Sequence, residues 1–419
     1  MRKFLTLLCL TAAIGVTAQY SGPGFYRVQN ASTHSYICIK GTQYQKSSYP
    51  DAFWSCVLMQ KDSAQVTDPG SIIYIPGMEQ TSLYGQGVDT YSLTHMWLDI
   101  NDAKVMEEGK PSYIAVTEYY DSNLDMMMRC IFRDRGNGFT AGTIEKTESR
   151  WWIEPVSEES MDISYFGVKP ASDAIKDVDG YYWTTLCCDF PFTIPAGGGV
   201  EGAYTINEVV AGSDGLYYAA PVKMYSQGET VPGATPVLLK CASPYASGNK
   251  LIPTGDIANN TTFPVTNGML EGNYFSTFAN FADLNDMSVT ALYTPSQATK
   301  AEQAYLVLGV DGEGKVCFSP QEDGTYMAAN SAWINTLPIE LEGVTVYLGE
   351  APEPEAVAGD IDGDGNVGIG DVSMLIDYLL GGEPEQKNDV LLLNADVNGD
   401  NMVNMGDVTQ LIDMLLNDQ

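Results

Sequence analysis

Basic residues are scarce. The 419-residue chain carries 21 Lys and Arg against 54 Asp and Glu, a formal charge of −33. So acidic a chain excludes nucleic acid and anionic lipid as partners, since both select basic patches; divalent cations remain compatible. Histidine is nearly missing: His34 and His95 are the only two, and neither stands at a metal-ligand spacing. No GxSxG elbow, phosphate loop or HExxH occurs. After the first residues no stretch reaches about 18 uninterrupted apolar positions, so no membrane insertion is expected. Cysteine is present but in an odd number once Cys9 is set aside: Cys38, Cys56, Cys130, Cys187, Cys188, Cys241 and Cys317. These cannot all pair within one chain, and none has metal-ligand spacing. The plain reading is buried thiols, with or without one disulfide. Adjacent Cys187 and Cys188 are expected on opposite faces of a strand.

The first residues are distinct. Arg2 and Lys3 precede an apolar run from Phe4 to Val16, and Val16-Thr17-Ala18 offers small residues before a cut at Gln19. Residues 1–18 therefore read as a secretory signal peptide. The expected location is secreted, extracellular or held at the cell surface through a partner. Cys9 lacks the small residue before it that a lipoprotein signal wants, so no lipid anchor is expected.

From about residue 20 to 350 the chain reads as mainly β. "GFYRVQN" (24–30), "SYICIKG" (35–41), "SIIYI" (71–75), "SYIAV" (112–116) and "RWWIEPV" (150–156) are aromatic or β-branched runs bounded by turn residues. A stretch near Asp121 to Phe132 is the one expected helix. Later strands include "YYWTTLCCDFPFTIPAG" (181–197), "AYTINEVV" (203–210), "TPVLLKC" (235–241), "AYLVLGV" (304–310), "KVCFSP" (315–320) and "GVTVYLG" (343–349). Many short strands at regular spacing suggest a sandwich. "EAPEPEAVA" (350–358) is then an acidic, proline-bearing linker.

The end of the chain is written twice. "GDIDGDGNVGIGDVSMLIDYLL" starts at Gly359 and "ADVNGDNMVNMGDVTQLIDMLL" at Ala395. In the first copy Asp360, Asp362, Asp364 and Asp371 take positions 1, 3, 5 and 12 of a calcium-type loop, with Gly365 at position 6 and the carbonyl of Asn366 at position 7. In the second copy the same positions fall on Asp396, Asn398, Asp400 and Asp407, with Met402 at position 7. Hard cations want six to eight oxygens, and alternate side chains of a tight loop converge to supply them. Asn401 replaces glycine at position 6, and Asn is the side chain best suited to left-handed backbone. Position 9 is Gly368 or Asn404; the glycine leaves that place to a water. Two Ca2+ sites are expected, the second weaker for its lower ligand charge. Each loop leads into an apolar stripe, Val372, Leu375, Ile376, Leu379 and Leu380 or Val408, Leu411, Ile412, Leu415 and Leu416. Neither helix buries its stripe alone, so the copies are expected to pack together.

These residues resemble the type I dockerin module: paired loop-and-helix repeats, Asp at position 12, and no entering helix. The resemblance spans about the last 60 residues. It implies a small all-α calcium-binding unit at 359–419 whose partner is a cohesin-like module. The family's ligand positions fall on Asp360, Asp362, Asp364, Asp371, Asp396, Asn398, Asp400 and Asp407. Its partner-reading positions, 10 and 11, fall on Ile369-Gly370 and Met405-Gly406, where the family often has hydroxyls. Asp377 and Asp413 match one another further along the helices.

Upstream, "GFYRVQNASTHSYICIKG" and "LYGQGVDTYSL" resemble openings of secreted proteins of gut Bacteroidetes with a β-trefoil-like fold. "VEGAYTINEVV", "TPVLLKC" and "AANSAWI" resemble a β-sandwich of those same proteins. The expected organisation is a β-trefoil-like domain at 19–157, a β-sandwich-like domain at 158–349, a linker at 350–358 and the dockerin-like unit. Two function classes follow. The first is a secreted non-catalytic protein whose β modules bind glycan, such as polysaccharide, or a surface. The alternative is a polysaccharide-degrading glycoside hydrolase, which needs only two carboxylates across a cleft; Glu154, Glu158 and Asp189 are candidates among many. Trp54, Trp97, Trp183 and the pair Trp151-Trp152 could stack on sugars, with core packing the expectation for most and one of the pair facing inward.

Overall fold

A computed structural model of the chain describes residues 20–38, 66–75, 81–82, 97–98, 112–134, 139–142, 147–157, 165–170, 175–255, 265–274, 277–279, 305–321, 325–335, 343–352, 357–381 and 394–417. The signal-peptide segment, His95, Trp54, Cys56 and Glu158 lie outside them. Two compact units emerge. One takes in Met1–Val209 with Tyr217–Gly349, the other Val210–Leu216 with Glu350–Gln419. The chain is mostly β, as expected, and helix α1 (Ile369–Leu379) and helix α2 (Met405–Asn417) both belong to the second unit.

In the first unit an antiparallel sheet runs in the order Ile73–Ile75, Gly24–Asn30, Arg150–Pro155, Ser112–Asp121, Trp97–Leu98, Thr81–Ser82, and Met126–Asp134 pairs off Ser112–Asp121. This corrects the expected helix near Asp121–Phe132. The segment is the turn and returning strand of a hairpin, with Asp125 in the left-handed region at φ 51°. The methionines of Met126–Met128 favour helix on their own. Opposite them lie Tyr119, Tyr120 and Asp121, and cross-strand pairing with a long β-prone neighbour overrides local preference.

A second sheet orders Tyr182–Leu186, Val237–Cys241, Val200–Ile206 and Pro221–Ser226, all antiparallel. A third set runs Tyr217–Ala219, Val346–Leu348, Val316–Pro320, Tyr305–Val310, Ala332–Asn335 and Leu270–Gly272, its first pair parallel. One buried cluster joins residues from both sides of position 157. Phe25 lies 5.4 Å from Phe190, ring to ring, and Ile72 and Tyr74 share that cluster with Phe166, Phe192 and Leu239. Arg27 reinforces the junction. Its guanidinium is fully buried and donates to Ser71 Oγ at 2.9 Å and to the Tyr165 carbonyl at 2.6 Å. Burial lowers its pKa to about 10, with Asp68 acting the other way.

Trp151 is buried and Trp152 only half-buried, so the pair splits across the strand. Trp183 is buried with Nε1 donating to Asp177, and Trp333 packs edge-on to Tyr305. Core packing thus absorbs three of the described tryptophans. Cys187, Cys188, Cys241 and Cys317 are buried free thiols, and Cys38 is buried as well. Burial pushes Cys187 and Cys188 well up, the Asp189 carboxylate adding to it, and Cys241 up to about 12. Cys188 joins the Phe190 cluster, whereas Cys187 Sγ packs against Gly272, where a Cβ would meet it at 2.7 Å.

In the second unit α1 and α2 pack on a small cluster of Ile361, Val372, Leu375, Ala395, Val408 and Leu411. The apolar stripes are narrower than their sequence suggests. Ile376, Leu379 and Leu415 pack on the cluster's edge, while Leu380 is 81% exposed and Leu416 68%. Two short helices packed on one another and on Ile361 and Ala395 bury one seam; the outermost stripe positions rotate past it. Leu380 is moreover the residue that ends α1.

Candidate metal centre and docking face

Position 12 organises each loop. Asp371 lies in the first turn of α1, and its Oδ2 accepts the Gly368 N–H at 2.7 Å. That satisfies a backbone donor at the helix start, where a carboxylate is also favoured by the helix dipole. Its Oδ1 reaches back across the loop to accept from Ile361 N at 2.6 Å and Asp362 N at 3.0 Å. Asp407 repeats this at α2, taking Asn404 N at 2.8 Å and Asn398 N at 3.1 Å. Both carboxylates are buried.

Positions 1, 3 and 5 are wound by their own backbone. The Asp364 N–H lies 3.1 Å from both Asp360 Oδ1 and Asp362 Oδ1, Gly365 N donates to Asp360 Oδ2 at 3.0 Å, and Asn366 N donates to Asp364 Oδ1 at 2.7 Å. In the second loop Asp400 N lies 3.0 Å from Asp396 Oδ1 and 2.9 Å from Asn398 Oδ1, Asn401 N donates to Asp396 Oδ2 at 2.7 Å, and Met402 N to Asp400 Oδ1 at 2.8 Å. At positions 1, 3 and 5 the two loops therefore share the same four backbone bonds. The turn at position 6 is left-handed in both, φ 82° at Gly365 and 64° at Asn401, a conformation glycine adopts without cost and Asn better than most.

Carboxylate oxygens of Asp360, Asp362 and Asp364 all lie within 4.8 Å of one another. From 359 to 419 the sequence has one basic residue, Lys387, so the loops themselves hold no cation to balance them. Crowded, oxygen-only donors of this kind fit a hard divalent ion. Asp360, Asp362, Asp364, Asp371 and the Asn366 carbonyl would hold it in the first loop; Asp396, Asn398, Asp400, Asp407 and the Met402 carbonyl would do so in the second.

Three contrasts between the loops bear on the ion site and the helix start. Asn398 replaces a carboxylate by an amide. Asn404 Oδ1 accepts the Gly406 N–H at 2.7 Å and so caps α2, whereas Gly368 has no side chain to do this for α1. Position 11 is tight in the second loop: a Cβ on Gly406 would lie 2.9 Å from Asn404 Oδ1 and 3.1 Å from Asn398 Nδ2, against 3.4 Å from Asp362 Oδ2 at Gly370. Glycine at position 11 thus lets the helix start approach the position-3 ligand.

Beside these loops, Ile369 and Met405 are 76% and 62% exposed, and Gly370, Gly406, Asp377 and Asp413 are exposed with them. One turn on, Ser373 and Thr409 donate back to the Ile369 and Met405 carbonyls at 3.0 and 2.9 Å. Sequence reasoning missed Asn394, which is buried and donates to the Asp360 carbonyl; the repeat alignment could have found it, because the equivalent position in the first copy is Ala358. Of the carboxylates considered for glycoside hydrolysis, Glu154 pairs across the sheet with Arg27 and Asp189 is buried beside Cys187 and Cys188.

Two acidic loops, each feeding one helix and related by a repeat, make up the C-terminal unit. Residues 358–416 match the family model of the dockerin type I domain. Dockerin domains bind calcium and dock onto cohesin modules. No curated protein and no solved structure matches the chain. Among the described residues no helix is long and apolar enough to cross a membrane.

Proposed function

We propose that the chain is a secreted protein whose C-terminal unit binds two calcium ions and docks onto a cohesin-like module of a scaffold or surface protein. The β region is cargo that binds glycan or a surface without catalysis. The observation that carries this reading is the shared hydrogen-bond scheme at positions 1, 3 and 5 of the two loops, each built from oxygen donors around one place. The ligands are the side chains and carbonyls named above. Calcium supplies the charge that lets those carboxylates stay together.

The docking face is Ile369, Gly370 and Asp377 on one copy and Met405, Gly406 and Asp413 on the other. Two near-equivalent faces allow one partner to bind in either of two orientations about 180° apart. Apolar anchors at an interface centre cost about 1–3 kcal/mol when removed. Hence Ile369→Asp or Met405→Asp alone should leave binding largely intact and the double change should abolish it. The experiment is calcium-dependent capture from the source organism's secreted and surface proteins, then titration of the purified partner against the full chain and its variants. Loss on either single change would mean one face only. Binding that persists in chelator would reject the calcium-dependent docking itself. A glycan array with a hydrolysis screen on the same chain tests the cargo role.

A further inference from the structure

The geometry points to Asn394 as the residue that couples the two loops, so that occupancy of one raises the affinity of the other. This inference rests on the calcium reading above. Asn394 is buried, Nδ2 donates to the Asp360 carbonyl at 2.6 Å, and its own carbonyl accepts the Gly359 N–H at 2.9 Å. One residue of the second repeat thus holds the lead-in of the first loop at two successive residues, Gly359 and Asp360. The held residue is itself a ligand: Asp360 takes Asp364 N and Gly365 N on its side chain. At the other end, only the buried Ala395 separates Asn394 from Asp396, the first ligand of the second loop. An ion that fixes Asp396 therefore fixes Asn394, and Asn394 fixes Asp360.

The link is built in one direction. The residue equivalent to Asn394 is Ala358, which is exposed and carries no amide. The orientation of the Asn394 side chain is also determined, because a carbonyl only accepts and the NH2 must face Asp360. That leaves Asn394 Oδ1 buried with no protein donor. Such an acceptor is destabilising, and alanine or serine at this place would avoid it. An amide kept there in spite of that is accounted for by its hold on Asp360. Although the contact is asymmetric, coupling between binding sites is reciprocal by thermodynamic necessity.

The test is a double-mutant cycle on the full chain, read by calcium calorimetry and by competition with a chromophoric chelator. In the wild type, Asp400→Ala, which disables the second loop, should weaken the first site by about 5-fold or more. In an Asn394→Ala background, which keeps only the backbone bond to Gly359, the same change should weaken the first site less than about 2-fold, and the two-site titration should lose most of its cooperativity. Asn394→Asp, which sets a carboxylate against the Asp360 carbonyl, should uncouple the loops in the same way. Parallel weakening of both sites with cooperativity retained would make Asn394 a packing residue only and overturn the inference. If Asn394→Ala loses its helical signal even in saturating calcium, Asn394→Ser carries the same cycle with the same two outcomes. A wild-type chain that takes up no calcium would instead overturn the calcium reading, and this inference with it.

Discussion

Around Phe190 the β body buries a cluster of seventeen apolar side chains drawn from residues 25 to 251; the C-terminal unit buries six between α1, α2 and the loops. The first cluster removes enough apolar surface from water to order the chain around it. The second does not: a unit this small needs a staple to offset the conformational entropy of its loops and helices. The hydrogen bonds differ likewise. In the loops they run from backbone N–H groups to carboxylates at positions 1, 5 and 12, groups that repel one another unless a cation sits among them. Apolar burial holds one region; under the proposed function, charge neutralisation is the condition for the other.

Removing calcium should separate the two regions completely, and this is the largest expected effect. The six tryptophans all lie between residues 54 and 333, so their fluorescence reports the body alone. Chelator should leave it unchanged while the helical far-UV signal of α1 and α2 disappears and returns with calcium. Helices equally intact in chelator would break the comparison. Next in size, Phe190→Ala should destabilise the body by about 3–5 kcal/mol, as for other buried aromatics, and leave calcium affinity unchanged; denaturant unfolding followed by tryptophan fluorescence, with calorimetry on the same variant, measures both.

Within the C-terminal unit, Asp371→Ala removes an ion ligand and a helix-start acceptor together. It should weaken the first site by about 100-fold or more, and Asp407→Ala should do the same to the second. A smaller contrast separates the loops by charge: Asp360→Asn should reduce affinity more than Asp396→Asn, and equal losses by calorimetry would mean that helix packing rather than loop charge sets affinity. The smallest effect concerns position 11. Gly406→Ala should cost its site more than Gly370→Ala costs the other, by about 1 kcal/mol or less, because only at Gly406 does a Cβ approach within 3.0 Å of a neighbour.

These contrasts follow how far each region could be read from sequence. The loops were legible because their contacts are local: residues at fixed offsets turn Asp360, Asp362 and Asp364 toward one another, and the second copy repeats the offsets. Short strands such as Gly24–Asn30 and Val200–Ile206 were legible from their β-branched and aromatic content. Their order was not, since it depends on partners such as Arg150–Pro155 that lie more than a hundred residues away. The hairpin at Met126–Asp134 was misread for the same reason: its Met run prefers helix locally, and only the strand opposite decides. Leu380 and Leu416 looked like core because periodicity marks a face without saying how wide a partner will cover it. Asn394 carried no motif and became visible only through its contact with Asp360.

The double contact of Asp371 and Asp407, with the loop backbone and with the helix start, also bears on speed. The first turn is the slow, unfavourable step in forming a helix. A bound ion that holds position 12 against positions 1 to 5 supplies that turn ready-made. The loop contacts span 2 to 10 residues, whereas the buried Arg27 reaches Tyr165 across 138. Low contact order goes with fast folding and long-range pairing with slow. Under the proposed function the C-terminal unit is therefore suited to melt and re-form many times within the lifetime of one folded body, following the ambient calcium concentration while the β body stays intact.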